Sequence, residues 1–503
     1  MAAAPPSDIV SMLQRHAAER PDAPCLTAGE DAMSFAELER RSNAAANMLA
    51  AKGTAPGDRI ALLGATSPAV IELLFGCAKR GAILVPLNWR LSPREIAQIV
   101  ADADPGLIIH DDALAPLLVE VDGSERLALK DYQREREVAS DAPPSRISDP
   151  EAPTLILYTS GTTGLPKGAM LSQRNLSYLG RMAGELWDFT PDSVNLVAMP
   201  LFHIGGIGYA LLALSQGGET VLLSGADPAA VVEAIARHGV THGFFVPTVV
   251  QRLVDHVEQS GQPAPAIRYI FYGAAPIGED LLHRARAVFR CGFVHVYGMT
   301  ETAGTTVTLL PDEHQGERLR SCGRPMPWIE LELVDPATCR NVESGEIGEI
   351  RMRSPAIMRG YWRKPDETAK AITPDGWLCS GDAAYRDADG YLFIQDRYKD
   401  MIVSGGENIY PSEIDNVLLH HPDVAEVAVI GVPHPKWGET PRAYVVLREG
   451  AEADGAELIG FCRKRLAHYK CPTEVRFVAA LPRNASGKIL KRELRAVERA
   501  QTP

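Results

Sequence analysis

The chain lacks most of the signals that would send it to a metal, a membrane or a nucleic acid. Its eight cysteines, Cys25, Cys77, Cys291, Cys322, Cys339, Cys379, Cys462 and Cys471, form no CxxC pair, and no histidine cluster accompanies them. Structural zinc and a disulfide framework are therefore not expected; the default is reduced thiols in a cytoplasm. No apolar run approaches about 18 residues, so no membrane span is expected, which leaves peripheral membrane contact open. The start, Met1-Ala-Ala-Ala-Pro-Pro-Ser-Asp8, lacks the basic-then-apolar plan of a signal peptide. A long basic run is also missing and the net charge is -13, which argues against nucleic acid as a partner.

What is present is a chain of 503 residues, too long for one compact core, so two or more domains are expected. Hydrophobic content of 46% and charged content of 23% are ordinary for a globular protein. The most informative stretch is Tyr158 to Gly168, which packs three Gly, three Thr, one Ser and one Lys into eleven residues. Gly lets successive backbone N–H groups turn into one concavity, and hydroxyls and an ammonium add donors. Such a loop suits a phosphate chain. It is not a Walker A loop, because Gly168 stands where Ser or Thr would follow Lys167. A plain surface loop is the alternative, set against the apolar run Thr154–Leu157 before it and the probable helix beyond Asn175.

Around that loop the chain reads as β-α-β alternation, the mark of a mostly parallel sheet with helices on its faces. Residues 6–20 read as a helix, and Ser34 with Glu37 as a capping box opening a second. Strands are expected at 58–63, 81–86 and 107–109, with a helix over 68–79. Residues 139–153, rich in Pro, Ser and Asp, read as a surface connection. Beyond the loop, strands are expected at 195–199, 219–223, 243–246, 269–271 and 292–296, making a second β/α sheet plausible. After Cys322 short strands between Asp-Pro and Asp-Gly turns read as a smaller antiparallel subdomain. Beyond Asp396 a small α+β unit follows, with strands at 424–430 and 442–447, a helix at 454–466 capped by Asp454, and a basic tail helix near Ile489.

Seven further segments carry polar residues at strand ends or in turns. Pro200-Leu-Phe-His203 precedes a Gly pair that lets a ligand approach backbone; a lone His is more often structural. Tyr272-Gly-Ala-Ala-Pro276 holds small residues that suit a flat ring. Tyr297-Gly-Met-Thr-Glu301 follows a strand, where parallel sheets line their ligand crevices. The Thr300 hydroxyl suits a phosphate and the Glu301 carboxylate suits Mg²⁺, which shares oxygen ligands with phosphates. Asp382, after Gly381, is able to accept two hydrogen bonds from a ribose diol. Asp396–Asp400 reads as a linker, Ser404–Asn408 as a Gly-rich turn, and Lys488 stands on a loop near the C-terminus.

In combination these segments resemble the adenylate-forming superfamily of acyl-CoA synthetases, non-ribosomal adenylation domains and luciferases. The likeness runs from about residue 6 to 495, with the segments in the family's order. It implies an α/β fold: a large N-terminal domain, 1–398, of two β/α sheets plus an antiparallel β subdomain, and a small mobile C-terminal domain, 399–503. It also implies a two-step reaction. A carboxylate attacks the α-phosphate of ATP to give acyl-AMP and pyrophosphate, and a thiol then displaces AMP.

By matching motif, Thr159, Ser160, Gly161, Thr162, Thr163, Gly164 and Lys167 would hold the β- and γ-phosphates. Thr300 and Glu301 would take the α-phosphate and Mg²⁺. Gly273, Ala274, Ala275 and Pro276, with Tyr297, would border the adenine, and Asp382, with Arg397 beside it, the ribose. Lys488 would bridge carboxylate and α-phosphate, offsetting charge in the first transition state. The resemblance implies a hinge at Lys399, about which the small domain rotates between half-reactions. It also implies a pantetheine path for coenzyme A past Gly405, Gly406 and Trp437. Arg463, Lys464, Arg465 and Lys470 would meet CoA phosphates or form a solvated face. His203 would guard an acyl pocket lined by Phe202, Gly206, Phe244, Val246, Tyr272 and Gly298. No Asp stands near Phe244 to bind an α-amine, and the pocket segments hold no Lys or Arg at 202–209, 244–249 or 272–275. A hydrophobic acid is expected, a medium-to-long fatty chain first and an aryl acid second, with free CoA ahead of a carrier-protein thiol. Monomer and homodimer both stay open.

Overall fold

The computed structural model describes residues 8–145, 149–159, 166–275, 277–404, 407–483 and 489–501, with backbone alone at 399 and 499–501. Two β/α sheets form the large part. The first has six strands in the order Glu125–Ala128, Leu107–His110, Arg59–Leu63, Ile83–Pro86, Pro153–Thr159 and Lys167–Ser172. All neighbours are parallel except the last pair. The second sheet has nine strands, with Gly292–Met299, Tyr269–Gly273, His242–Phe245, Val194–Val197 and Glu219–Leu222 at its parallel centre. Its central strands are buried on both faces, as parallel sheets covered by helices require.

Local chemistry starts and stops the helices. Helix Pro68–Arg80 has Pro in its first turn and ends on Gly81 in the left-handed conformation, φ 75°. Ser34 caps Phe35–Ala51 by accepting from the Glu37 N–H at 3.2 Å. The reciprocal half of the expected box is absent, because the Glu37 carboxylate turns to Arg40 and Arg41. Salt bridges to two guanidinium groups outcompete one backbone N–H.

Three of the structure's departures from the sequence reading concern how strands pair. The hairpin Pro24–Ala28 and Asp31–Ser34 pairs with Glu219–Leu222 at the edge of the second sheet, where no strand was expected. The Gly-rich loop joins two antiparallel strands, Pro153–Thr159 and Lys167–Ser172, and the helix Gln173–Leu186 begins only after the second. Strand Lys167–Ser172 was hidden because Gly, Ala, Met and Ser carry little β propensity. The strand expected at 424–430 runs on to His434 and pairs along its length with Gly438–Leu447.

The antiparallel subdomain is a four-stranded sheet, Glu330–Val334, Gly348–Arg353, Leu378–Arg386 and Leu392–Arg397. The small C-terminal part has its own sheet and its own core around Ile402, Ile409, Ile414, Val429, Val445 and Leu458. No helix among the described residues is long and apolar enough to cross a membrane.

Candidate active site

Of the phosphate-loop residues, Ser160, Gly161, Thr162, Thr163 and Gly164 lie outside the described residues; the two roots of the loop do not. On one side the Tyr158 hydroxyl donates to Asp102 Oδ2 at 2.7 Å, and on the other the Thr159 hydroxyl donates to the Lys167 carbonyl at 3.4 Å. A side chain at Gly168 would put its Cβ 2.7 Å from Ile156 Cγ2, so only Gly lets the two strands close here.

A segment from far along the chain completes this corner. Residues 359–362 run beside Lys167–Ser172: Arg359 N–H donates to the Met170 carbonyl at 2.8 Å and Trp362 N–H to the Gly168 carbonyl at 2.8 Å. That pairing carries Tyr361 into the site. Its hydroxyl donates to Glu301 Oε1 at 2.8 Å, and Lys167 Nζ stands 5.1 Å above its ring. Lys167 is also ion-paired with Glu367, whose carboxyl is held down to about 2 by Lys167 and Lys370. Tyr361, Glu367 and Asp102 were not foreseen. The one local signal was Gly360, at φ 121°, ahead of an aromatic pair.

Glu301 sits in the single turn Thr300–Thr302, only 8% exposed, with its carbonyl accepting from Met358 N–H at 2.8 Å. Thr300 is half-buried beside it, and Gly298 is exposed at the strand end. Among the described residues no group of three or more His, Cys, Asp or Glu is placed to hold a metal. A lone carboxylate oriented by a tyrosine is the donor set Mg²⁺ accepts when phosphates and water supply its other ligands.

Asp382 lies across the cleft, 7% exposed, taking the Tyr297 hydroxyl at 2.7 Å and Arg397 Nε at 3.2 Å. Asp382 and Arg397 are direct partners across the hairpin Leu378–Arg386 and Leu392–Arg397, so register delivers the pair. Burial and the Asp382 charge push the Tyr297 phenol far above its ordinary range. Ala274, at φ 64°, and Ala275 are exposed just past Gly273, the end of Tyr269–Gly273; Pro276 lies outside the described residues.

On the acyl side, His203 precedes helix Ile204–Ser215, with its ring 4.6 Å from Phe202. Its Nε2 is buried with no hydrogen-bond partner, and burial, aided by the Arg90 charge, lowers its pKa to about 4. The imidazole is therefore neutral at pH 7. A Cβ at Gly206 would stand 2.1 Å from the Pro200 carbonyl, so the tight approach of helix to strand end demands Gly. Tyr209 stacks on Phe244 at 4.4 Å, and Val246 is buried at the start of helix Pro247–Ser260. Tyr272 is not with them. Register pairs Phe244 with Phe271 and Phe245 with Tyr272, so Phe244 and Tyr272 face opposite sides of the sheet. Tyr272 instead stacks on His295 at 4.6 Å, with its hydroxyl 3.1 Å from His314 Nε2.

In the small part, Gly405, Gly406 and Lys488 lie outside the described residues, as does the Lys399 side chain. Trp437 is 45% exposed at the tip of the long hairpin, and Ser404 pairs with Gly438 beside it. Lys470 is held by Glu413 at 2.6 Å and Arg465 lies over the Phe461 ring at 3.5 Å.

The chain matches the AMP-binding enzyme family over residues 13–362 and the AMP-binding enzyme C-terminal domain over 413–488. It belongs to that family. Feruloyl-CoA synthase of an Amycolatopsis species is 41% identical over 484 residues, covering 96% of this chain and 97% of that protein. The fatty acid–[acyl-carrier-protein] ligase ScoC of Streptomyces coeruleorubidus is 37% identical over 499 residues, covering 97% and 96%. O-succinylbenzoate coenzyme A synthetase of Bacillus subtilis, solved with ATP and magnesium ion, superposes with a TM-score of 0.86 at 31% identity, covering 96% and 99%. This AMP-binding enzyme is thus an adenylate-forming acid–thiol ligase, a class that uses ATP, Mg²⁺ and CoA.

Proposed function

We propose that this enzyme activates an aryl acid, cinnamate-like or benzoate-like, through its acyl-AMP to the CoA thioester. The observation that carries this is the aromatic make-up of the acyl side, where Phe202 packs on His203 at 4.6 Å and Tyr209 stacks on Phe244 at 4.4 Å. The fatty acid favoured by sequence alone becomes the second reading, supported by the apolar walls and by the fatty-acid relative. AMP release with a panel of aryl and linear acids, run with CoA and with a carrier protein, tests both. A kcat/KM for linear acids of ten or more carbons above that of every aryl acid would overturn the first.

The proposed chemistry follows from the corner described above. The loop from Thr159 to Lys167 takes the β- and γ-phosphates, so Glu367 must release Lys167 when they arrive. Thr300 meets the α-phosphate. Tyr361 orients the Glu301 carboxylate, which would hold Mg²⁺, and bound there it would supply neutralisation of the phosphate charge. Asp382, steadied by Tyr297 and Arg397, accepts from the ribose hydroxyls, and Gly273 to Pro276 border the adenine. A carboxylate oxygen of the acid attacks the α-phosphorus and the bond to pyrophosphate breaks. Lys488 stabilises the charge developing between them. The CoA thiol, reaching in past Gly405, Gly406 and Trp437, then attacks the acyl carbon and AMP leaves. Neutral His203 offers a hydrogen bond at the pocket mouth without an ion pair. The body ends at 398, and 399–503 turns about Lys399 between the steps.

A further inference from the structure

Strand Leu378–Arg386 breaks its ladder at Asp382. On one side Gly348 pairs with Ala384 and Glu349 with Ala383, but Arg351 pairs with Cys379, so Ile350 alone stands opposite Ser380, Gly381 and Asp382. On the other side the register slips between Ala383 and Ala384, one residue past the Asp382–Arg397 pair. Bulges of this kind re-aim a side chain and leave backbone groups without ladder partners. Gly381 carries the chain through the bulge at φ 73°.

Two side chains supply the missing partners. Glu349 Oε1 accepts from the Gly381 N–H at 2.9 Å. The Ser380 hydroxyl donates to the Ile350 carbonyl at 2.7 Å and accepts from the Asp382 N–H at 3.1 Å. The backbone before Asp382 is thus fixed independently of Tyr297 and Arg397, which hold its carboxylate. Arg351, the cation two residues beyond Glu349, is bound instead by Glu332 at 2.7 Å. Burial, and then the charge of Asp382, raise the Glu349 carboxyl above the ordinary carboxylate range. A half-buried acid beside a second acid is disfavoured. That cost is offset by the strength with which a carboxylate accepts from an N–H.

We infer that Glu349, with Ser380, is a positioning residue for the nucleotide: the two hold the bulge that aims the Asp382 carboxylate. The inference rests on Asp382 accepting from the ribose hydroxyls. A slackened bulge lets that carboxylate turn away, so the loss falls on the sugar contacts and not on the phosphates.

The test is calorimetric binding of ATP, 2′-deoxy-ATP and 3′-deoxy-ATP, each with Mg²⁺, which needs no acid. The parent is expected to bind ATP about tenfold or more tighter than either deoxynucleotide, because each missing hydroxyl forfeits a hydrogen bond to a charged acceptor. In Asp382→Ala that preference is expected to vanish, and in Glu349→Ala to fall to about threefold or less. Glu349→Gln keeps an oxygen that accepts from the Gly381 N–H, and most of the preference should stay with it; a loss as large as in Glu349→Ala overturns the acceptor role. A preference undiminished in Glu349→Ala, with the three nucleotides weakened alike or not at all, overturns the inference and leaves the ribose role of Asp382 standing. If Glu349→Ala does not fold, Ser380→Ala decides by the same ratio. A parent that binds all three nucleotides equally overturns the ribose role, and the inference with it.

Discussion

The large body and the small C-terminal part are held by different forces. The body has a large apolar core that runs from Ile9 to Leu392 and joins both β/α sheets to the antiparallel one, with smaller clusters beside it. The small part has a separate core, and polar contacts to Asp396 help tie it to the body. Lys491 reaches Asp396 at 3.8 Å and Ser412 N–H donates to Asp396 Oδ2 at 3.0 Å, while Lys491–Asp415 at 3.1 Å and Arg495–Asp400 at 2.7 Å hold the small part itself together. Apolar packing is dense and resists sliding, whereas a few polar contacts are remade with water or other partners more readily. A site that needs a fixed floor and a movable roof is served by that division. Glu301, Tyr361 and Asp382 stand in the body.

The sharpest way to break this comparison is Lys488→Ala. Adenylate formation is expected to fall by about 100- to 1000-fold while thioester formation from supplied acyl-AMP is largely spared. Pyrophosphate exchange and thioester assays separate the two steps, and equal losses would put Lys488 on the wrong side of the division.

Next in size is Lys491→Met, which leaves Asp396 and Asp415 together without their ammonium. Breaking a buried pair this way costs about 3–5 kcal/mol, felt here at the junction. Hydrogen exchange should rise in 491–501 and 411–419 while the central strands of the body hold. Uniform exchange across the chain would mean that the two parts unfold as one.

Acid should also tell them apart. Burial lowers His203, His242, His295 and His314 to about 4, all in the body. Unfolded, these imidazoles protonate near 6.5; folded, they wait until about 4. Their contribution is therefore complete above pH 6.5 and is lost as pH falls towards 4, by about 1.4 kcal/mol per pH unit for each. In the small part burial raises Asp415 to about 6, which has the opposite sign: its contribution is complete below about 4 and is lost as pH rises through 6. Protection of the body's peptides should drop between pH 6.5 and 4.5 ahead of those in 424–447. The reverse order would remove the buried histidines from the account.

The smallest effect is expected from Tyr361→Phe, which deletes one hydrogen bond to Glu301. A loss of about 1 kcal/mol corresponds to roughly fivefold in kcat/KM for ATP. It should be relieved in part by raised Mg²⁺, while KM for the acid stays put. A change confined to the acid would detach Tyr361 from the nucleotide side.

Much of this was legible in the sequence because it is local. A phosphate loop, a carboxylate after a strand and a Gly-Asp turn are built from contiguous residues, so their chemistry survives without a fold. The nearly continuous apolar runs at 58–63 and 81–86 announce buried parallel strands for the same reason. Strand Lys167–Ser172 and the hairpin at 24–34 were not announced, since their pairing depends on distant partners rather than on their own composition.

The sequence by itself determined the family, the order of its motifs and the two-part plan of the chain. Only the tertiary structure decided which side chains meet. Tyr361 finds Glu301 across 60 positions, and Tyr158 finds Asp102 across 56. Phe244 and Tyr272, grouped together by motif, part to opposite faces because the side-chain period of a strand is two and pairing sets its phase.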